Sequence, residues 1–107
     1  LNIEGVPMDK DGMIMEALEK KIKLHKPTLL YTIPVFHNPS GQTLSDERRK
    51  KLIELSQKYN FYIIADEVYQ MLNYYEEPPR AMGTMIESGK VISLGTFSKI
   101  VAPGLRL

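Results

Sequence analysis

Three short apolar runs constrain the fold of this chain more than any other feature. They begin at Leu29, Phe61 and Val91, are rich in β-branched and aromatic residues, and are separated by helical patterns or long connections. Strands so far apart along a chain pair in parallel, because an antiparallel pair would need only a tight turn. We therefore predict an α/β fold, a partial three-layer sandwich with a mainly parallel sheet and flanking helices.

The runs also predict where the strands lie. They indicate strands over Leu29–Ile33, Phe61–Ala65 and Val91–Leu94, and the near-continuous apolar character of the first favours a strand buried on both faces. Residues 70–89 contain Pro78-Pro79 and show no sustained periodicity, so most of that segment is predicted to be loop.

Two helices are predicted around the first connection. Apolar residues recur at three and four positions over about residues 13–24, which is typical of an amphipathic helix that ends near Pro27. Ser45 is followed by two acids and then by an apolar stripe, the pattern of a capped second helix.

Composition narrows the class of protein. With 43% hydrophobic and 25% charged residues the chain is expected to be globular, and a net charge of +1 gives no footprint for nucleic acid or a membrane surface. It has no cysteine, and His25 and His37 are too few for a zinc cluster. We expect a cytoplasmic protein, and we interpret the non-methionine start at Leu1 and the abrupt end at Leu107 as an internal piece of a longer one.

Polar residues follow each predicted strand. Asn38, Asp66 and Lys99 lie just beyond the carboxyl ends, where parallel sheets bind their ligands, so we expect them to form one site. Lys99 has hydroxyls before it at Thr96 and Ser98 and a guanidinium after it, company that suits a dianionic phosphate held near a reactive amine.

Four ordered motifs strengthen this interpretation: Asn38-Pro39-Ser40-Gly41, Asp66-x-x-Tyr69, Thr96-x-Ser98-Lys99 and Pro103-Gly104-Leu105-Arg106. In this order they resemble the fold-type-I pyridoxal-phosphate enzymes, specifically the class I/II aminotransferases. The resemblance implies that residues 1–107 are part of the large cofactor-binding domain, truncated at both ends. It also implies a homodimeric intact protein that takes amino acid and 2-oxo acid substrates.

The same resemblance implies a role for each motif residue. Lys99 would hold pyridoxal 5′-phosphate as an internal Schiff base and carry a proton during catalysis, and Asp66 would pair with the pyridine nitrogen. Asn38 and Tyr69 would hydrogen-bond the phenolic oxygen of the cofactor. The phosphate anchors would be Thr96, Ser98 and Arg106, with threonine at 96 in place of the more usual serine.

Several alternatives stay open on sequence alone. The same cofactor pocket serves carbon–sulfur lyases, cyclopropane-forming synthases and aminotransferase-like transcription regulators. Ser98 could instead be an N-cap, and Asp66 a helix N-cap or loop acid. The run into Asp66-Glu67 also imitates the Walker B strand of a P-loop ATPase, although the Walker A-like segment Gly83–Lys90 has five residues between its glycines where four are required.

Overall fold

The computed structural model describes residues 2–72, 77, 79–102 and 104. In chain order the elements are β1 (Met8–Asp9), β2 (Gly12–Met13), α1 (Met15–His25), β3 (Leu29–Thr32), α2 (Asp46–Tyr59), β4 (Tyr62–Asp66), a 3₁₀ helix (Met82–Ser88) and β5 (Val91–Leu94). Neither α-helix of this described part is long and apolar enough to cross a bilayer.

The sheet that organises the chain has the strand order β3-β4-β5 and is parallel throughout. Thr32 pairs with Ala65, and Asp66 at the end of β4 pairs with Leu94 at the end of β5. The predicted α/β fold with a parallel sheet and flanking helices is therefore confirmed. Because all three strands run the same way, their carboxyl ends share one edge of the sheet.

The hydrophobic core lies between one face of this sheet and the helices. It contains Met13, Met15, Leu18, Ile22, Leu30, Leu44, Leu52, Leu55, Phe61, Ile63, Ala65, Met82 and Val91. The set combines alternate residues of the strands with helix residues spaced three and four apart, which is how an amphipathic helix covers one side of a sheet.

The other face of the sheet, which we call the open face, is not covered by the described residues. On β3, Leu30 and Thr32 are buried, whereas Leu29 and Tyr31 are 49% and 56% exposed. The prediction that this strand is buried on both faces is therefore wrong for the described chain. An apolar run shows that a strand carries apolar side chains on both faces. It does not show whether the described residues supply the layer that covers each face.

Both predicted helices are present. Helix α1 buries Met15, Leu18 and Ile22 and ends one residue before Lys26, whose φ of 46° is left-handed and whose amide donates to the carbonyl of Ile22. Helix α2 begins as predicted, with the Ser45 hydroxyl accepting from the amide of Arg48 at 3.3 Å.

The predicted loop over residues 70–89 needs one correction. A 3₁₀ helix occupies Met82–Ser88 and is kinked at Met85, and its first residue, Met82, is fully buried. An element this short gives no hydrophobic periodicity that could be detected in the sequence. Tertiary contacts hold it, and local propensity does not. Residues 73–76 and 78 lie outside the described residues.

Candidate functional site

Asp66 ends the central strand and faces the open side of the sheet. It lies two residues beyond Ile64, which pairs with Tyr31 on β3, so Tyr31 and Asp66 are diagonal neighbours on one face. The Tyr31 hydroxyl donates to Oδ2 of Asp66 at 2.6 Å. That hydrogen bond, followed by burial, raises the pKa of Tyr31 to about 12, so the hydroxyl stays protonated and remains a donor.

The second oxygen of the same carboxylate is different. Oδ1 of Asp66 is buried and has no hydrogen-bond partner within the described part of the chain. A buried acceptor without a donor costs free energy, and such atoms are uncommon in folded proteins. An N–H donor from a bound molecule, such as a protonated pyridine nitrogen, would satisfy it.

Glu67, the next residue, points into the opposite side of the sheet. Its carboxylate accepts from the amides of Met82 and Gly83 and from the hydroxyl of Ser93, and the side chain is buried. It thus ties the end of β4 to β5 and to the 3₁₀ helix. A Walker B glutamate must face a nucleotide, so this geometry does not fit the ATPase alternative.

The segment after β5 forms a compact turn. The Thr96 hydroxyl accepts from the amide of Ser98 at 3.2 Å, and the Val101 amide donates to the carbonyl of Phe97 at 2.9 Å. Thr96, and not Ser98, therefore caps this turn. Lys99 sits within the turn and is exposed, so its amine is accessible at the carboxyl edge of the sheet.

A shallow cavity of about 400 Å³ lies beside these strand ends. It is lined by Glu67, Val68, Met71, Gly95, Thr96, Phe97 and Ile100. Thr96 is the one predicted site residue in its wall. The cavity therefore adjoins the ends of β4 and β5, where the motif residues were expected to meet.

Asn38 belongs to the loop between β3 and α2, and the base of that loop is fixed by a buried arginine. The Arg49 guanidinium donates to the carbonyls of Leu44 and Pro34 at 2.7 and 3.1 Å, and also to the carbonyl of Arg80. Burial lowers the pKa of Arg49. Asn38 itself is exposed at the tip of the loop.

The structure places some of the predicted site residues close together at the carboxyl edge of the sheet, but not all of them. The ends of β4 and β5 are adjacent, and near them lie Asp66, which is the last residue of β4, and Tyr69, Thr96, Ser98 and Lys99, which follow the two strands. Within the described chain, no hydrogen bond joins Asn38 or Lys99 to Asp66. Arg106 lies outside the described residues, and the role of each residue stays a prediction.

Sequence reasoning missed three side chains that build this region: Tyr31, Arg49 and Glu67. Tyr31 was taken as part of an apolar strand, although its diagonal position relative to Asp66 follows once the register is known. Arg49 stands in a run of charged residues that is typical of a solvated helix face. Glu67 was considered only as a Walker B acid.

Known proteins are similar to this chain in sequence and in structure. The model of the family described as aminotransferase class I and II matches residues 4–107. Aromatic-amino-acid aminotransferase 1 of Thermococcus litoralis is 44% identical over 107 residues, with 95% of this chain and 26% of the relative covered. An uncharacterized HTH-type transcriptional regulator of Bacillus subtilis is 42% identical over 107 residues, with 100% of this chain and 22% of that protein covered.

Solved structures agree. Pyrococcus horikoshii kynurenine aminotransferase, crystallised in complex with PMP, superposes with a TM-score of 0.87 at 42% identity, with 92% of this chain and 26% of that chain covered. This chain therefore spans about a quarter of the length of these relatives.

Proposed function

Because this chain belongs to the aminotransferase class I and II family, we propose that the intact protein is a pyridoxal-phosphate-dependent aminotransferase. It transfers an amino group between an amino acid and a 2-oxo acid. The observation that carries the proposal is the buried Oδ1 of Asp66 at the end of the central strand, which has no hydrogen-bond partner among the described residues. An acceptor in that position suits the protonated ring nitrogen of the cofactor.

The residues present fit this group. When bound, pyridoxal phosphate supplies an aldehyde that reacts with amines and a protonated ring that withdraws electrons from the substrate α-carbon. Lys99 is exposed, and its amine would be the covalent anchor of the cofactor and, when free, would carry the proton that leaves the α-carbon. Asp66 keeps the ring nitrogen protonated, because a nearby carboxylate favours the charged form.

The other motif residues orient the cofactor. Thr96 and Ser98 supply hydroxyls, and Arg106 supplies a forked guanidinium, for the phosphate. Asn38 and Tyr69 would hydrogen-bond the phenolic oxygen of the cofactor. We propose that the intact protein is a homodimer and that the 107-residue chain alone is inactive, since these residues make only part of a site.

The test is transamination by the intact protein. Purified protein loaded with pyridoxal phosphate is incubated with panels of amino acid and 2-oxo acid pairs, and the new amino acid is identified by mass spectrometry. Turnover should disappear in Lys99→Ala. The matched control is Lys90→Ala, because Lys90 precedes β5 at the opposite edge of the sheet and donates to Asn60 at 2.6 Å. Absence of amino transfer with every pair would refute the proposal.

One observation favours a second candidate function. The HTH-type transcriptional regulator named above is 42% identical and covers the whole of this chain, so the same segment could sense an amine-bearing ligand in a DNA-binding protein. Sequence-specific DNA binding by the intact protein, together with cofactor binding but no amino transfer, would favour the regulator. Amino transfer without DNA binding would favour the enzyme.

A further inference from the structure

Tyr31 contacts Asp66 through its hydroxyl and contributes little to the core. Tyr31 is 56% exposed on the open face, and its hydroxyl lies 2.6 Å from Oδ2 of Asp66. Tyr31 pairs in parallel with Ile64, and this register places the Tyr31 side chain beside that of Asp66. The hydroxyl is therefore held beside the carboxylate by the backbone register of β3 and β4.

This contact makes the two oxygens of Asp66 unequal. Oδ2 has a donor, while Oδ1 is buried with none in the described part of the molecule. A free carboxylate could rotate and exchange its oxygens, but a short hydrogen bond to an ionised acceptor resists that rotation. The result is one oxygen occupied by the protein and one held ready for a ligand.

We propose that Tyr31 is a positioning residue for the cofactor, holding Oδ2 of Asp66 so that Oδ1 is presented to the ring nitrogen of pyridoxal phosphate. This inference rests on the proposed function. The high pKa of Tyr31, about 12, means that its hydroxyl is protonated and able to donate at physiological pH. Tyr31 acts through Asp66 and does not itself touch the reacting atoms.

The test separates contact with the ring nitrogen from general support of the fold. The intact apoprotein is titrated with pyridoxal phosphate and with its 1-deaza analogue, in which a C–H replaces the ring nitrogen while the aldehyde and phosphate remain. Tyr31→Phe should weaken binding of pyridoxal phosphate about tenfold, the effect expected for one hydrogen bond to a charged group. Binding of the 1-deaza analogue should change less than about twofold, because it cannot use Oδ1 as an acceptor.

A matched control is available on the neighbouring strand. Tyr62 also lies on the open face, 47% exposed, and the ammonium of Lys90 lies 4.7 Å from the centre of its ring. Tyr62→Phe removes a hydroxyl but keeps that ring contact, so affinity for both ligands should stay at the wild-type value. In an Asp66→Ala background, Tyr31→Phe should have no further effect on pyridoxal phosphate binding.

Each other outcome overturns the inference. Equal weakening of both ligands by Tyr31→Phe would assign Tyr31 to general packing, and no weakening of either would deny it a role. Loss of folding in Tyr31→Phe, detected as a collapse of the unfolding midpoint, would also make the role structural. Failure of the wild-type protein to bind pyridoxal phosphate would instead refute the proposed function, so the two failures are distinguishable.

Discussion

At the scale of single residues, the adjacent acids Asp66 and Glu67 divide two tasks between the faces of the sheet. Side chains alternate along a strand, so neighbours in sequence point in opposite directions. Asp66 faces the open side, and one of its oxygens has no partner among the residues that the structure describes. Glu67 faces the core, and its carboxylate accepts from Met82, Gly83 and Ser93. Asp66 is therefore available to a ligand, whereas Glu67 stabilises the contact between β4, β5 and the 3₁₀ helix.

Replacing Asp66 with alanine should therefore damage catalysis far more than folding. In the proposed site the ring nitrogen of the cofactor would lose its charge partner, so the barrier should rise by more than about 2 kcal/mol, or about thirtyfold in kcat. The measurement is steady-state transamination by the intact protein, with the unfolding midpoint of the apoprotein recorded beside it. Near-wild-type turnover in a folded Asp66→Ala variant would show that Asp66 has no role in catalysis.

Sequence could locate some of these residues but not their partners. Asp66 and Thr96 could be located near strand ends because Asp66 directly follows one apolar run and Thr96 lies two residues after another, which is a local signal. Their roles stay predictions. Tyr31 and Arg49 were missed because their roles depend on contacts between residues far apart in the chain: Tyr31 reaches Asp66 across 35 positions, and Arg49 reaches Arg80 across 31. No single-sequence pattern carries that information.

At the scale of elements, Glu67 is the link that joins β4, β5 and the 3₁₀ helix. Gly83 lies so close to this link that an added Cβ would meet the Ser93 side chain at 3.0 Å. The close approach explains why the 3₁₀ helix has a glycine there. Because Glu67 accepts from the 3₁₀ helix and from Ser93 on β5, the geometry of both strand ends depends on one buried carboxylate.

Glu67→Ala should consequently destabilise the protein. The buried amide of Met82 and the partly buried amide of Gly83 and hydroxyl of Ser93 would lose their acceptor, at a cost of about 2 to 4 kcal/mol in the free energy of unfolding. Chemical denaturation of the intact protein measures this. The control is Glu54→Ala, because the Glu54 side chain is 66% exposed and pairs with Lys51 on the surface, so the change should be below about 0.5 kcal/mol. Equal effects of the two variants would contradict the account.

A second link joins the β1–β2 hairpin to α2 and depends on pH. Arg48 donates to both oxygens of Asp9 at 2.6 and 2.7 Å, and mainly through this contact the pKa of Asp9 falls to about 2. Since the pKa is lower in the folded than in the unfolded state, the contribution to stability is present above the unfolded pKa of about 4. It is lost as the pH falls from there through the folded value.

Asp9→Asn should therefore be less stable than wild type near neutral pH, with the difference in unfolding midpoint shrinking between about pH 4 and pH 2. Thermal unfolding across that range measures the difference. In an Arg48→Gln background the same substitution should have little effect at any pH. A difference between wild type and Asp9→Asn that is constant with pH would show that the contact does not stabilise the fold.

At the scale of the whole molecule, the open face of the sheet is the dominant feature. It presents apolar and aromatic side chains from all three strands: Leu29, Tyr31, Tyr62, Ile92 and Leu94. Contiguous apolar surface of this kind is uncommon on isolated soluble domains. The sheet and the helices on its covered face were predictable, because local sequence patterns encode them. Whether the described residues cover the open face was not predictable from such patterns.

The 107-residue chain expressed alone should therefore self-associate and show no amino transfer. Apolar surface and free strand edges favour contact between copies. Light scattering after size-exclusion chromatography gives the mass, and the amino acid and 2-oxo acid assay gives the activity. A monodisperse monomer with measurable turnover would mean that a complete site fits within these residues.

The central claim, that Lys99 is the covalent anchor of pyridoxal phosphate, is tested most directly by reductive trapping. The intact protein is incubated with pyridoxal phosphate, reduced with borohydride, digested and analysed by tandem mass spectrometry. We predict a stable phosphopyridoxyl adduct on Lys99 and none on the control residue Lys90. A label on another lysine, or no label after reduction, would contradict the account.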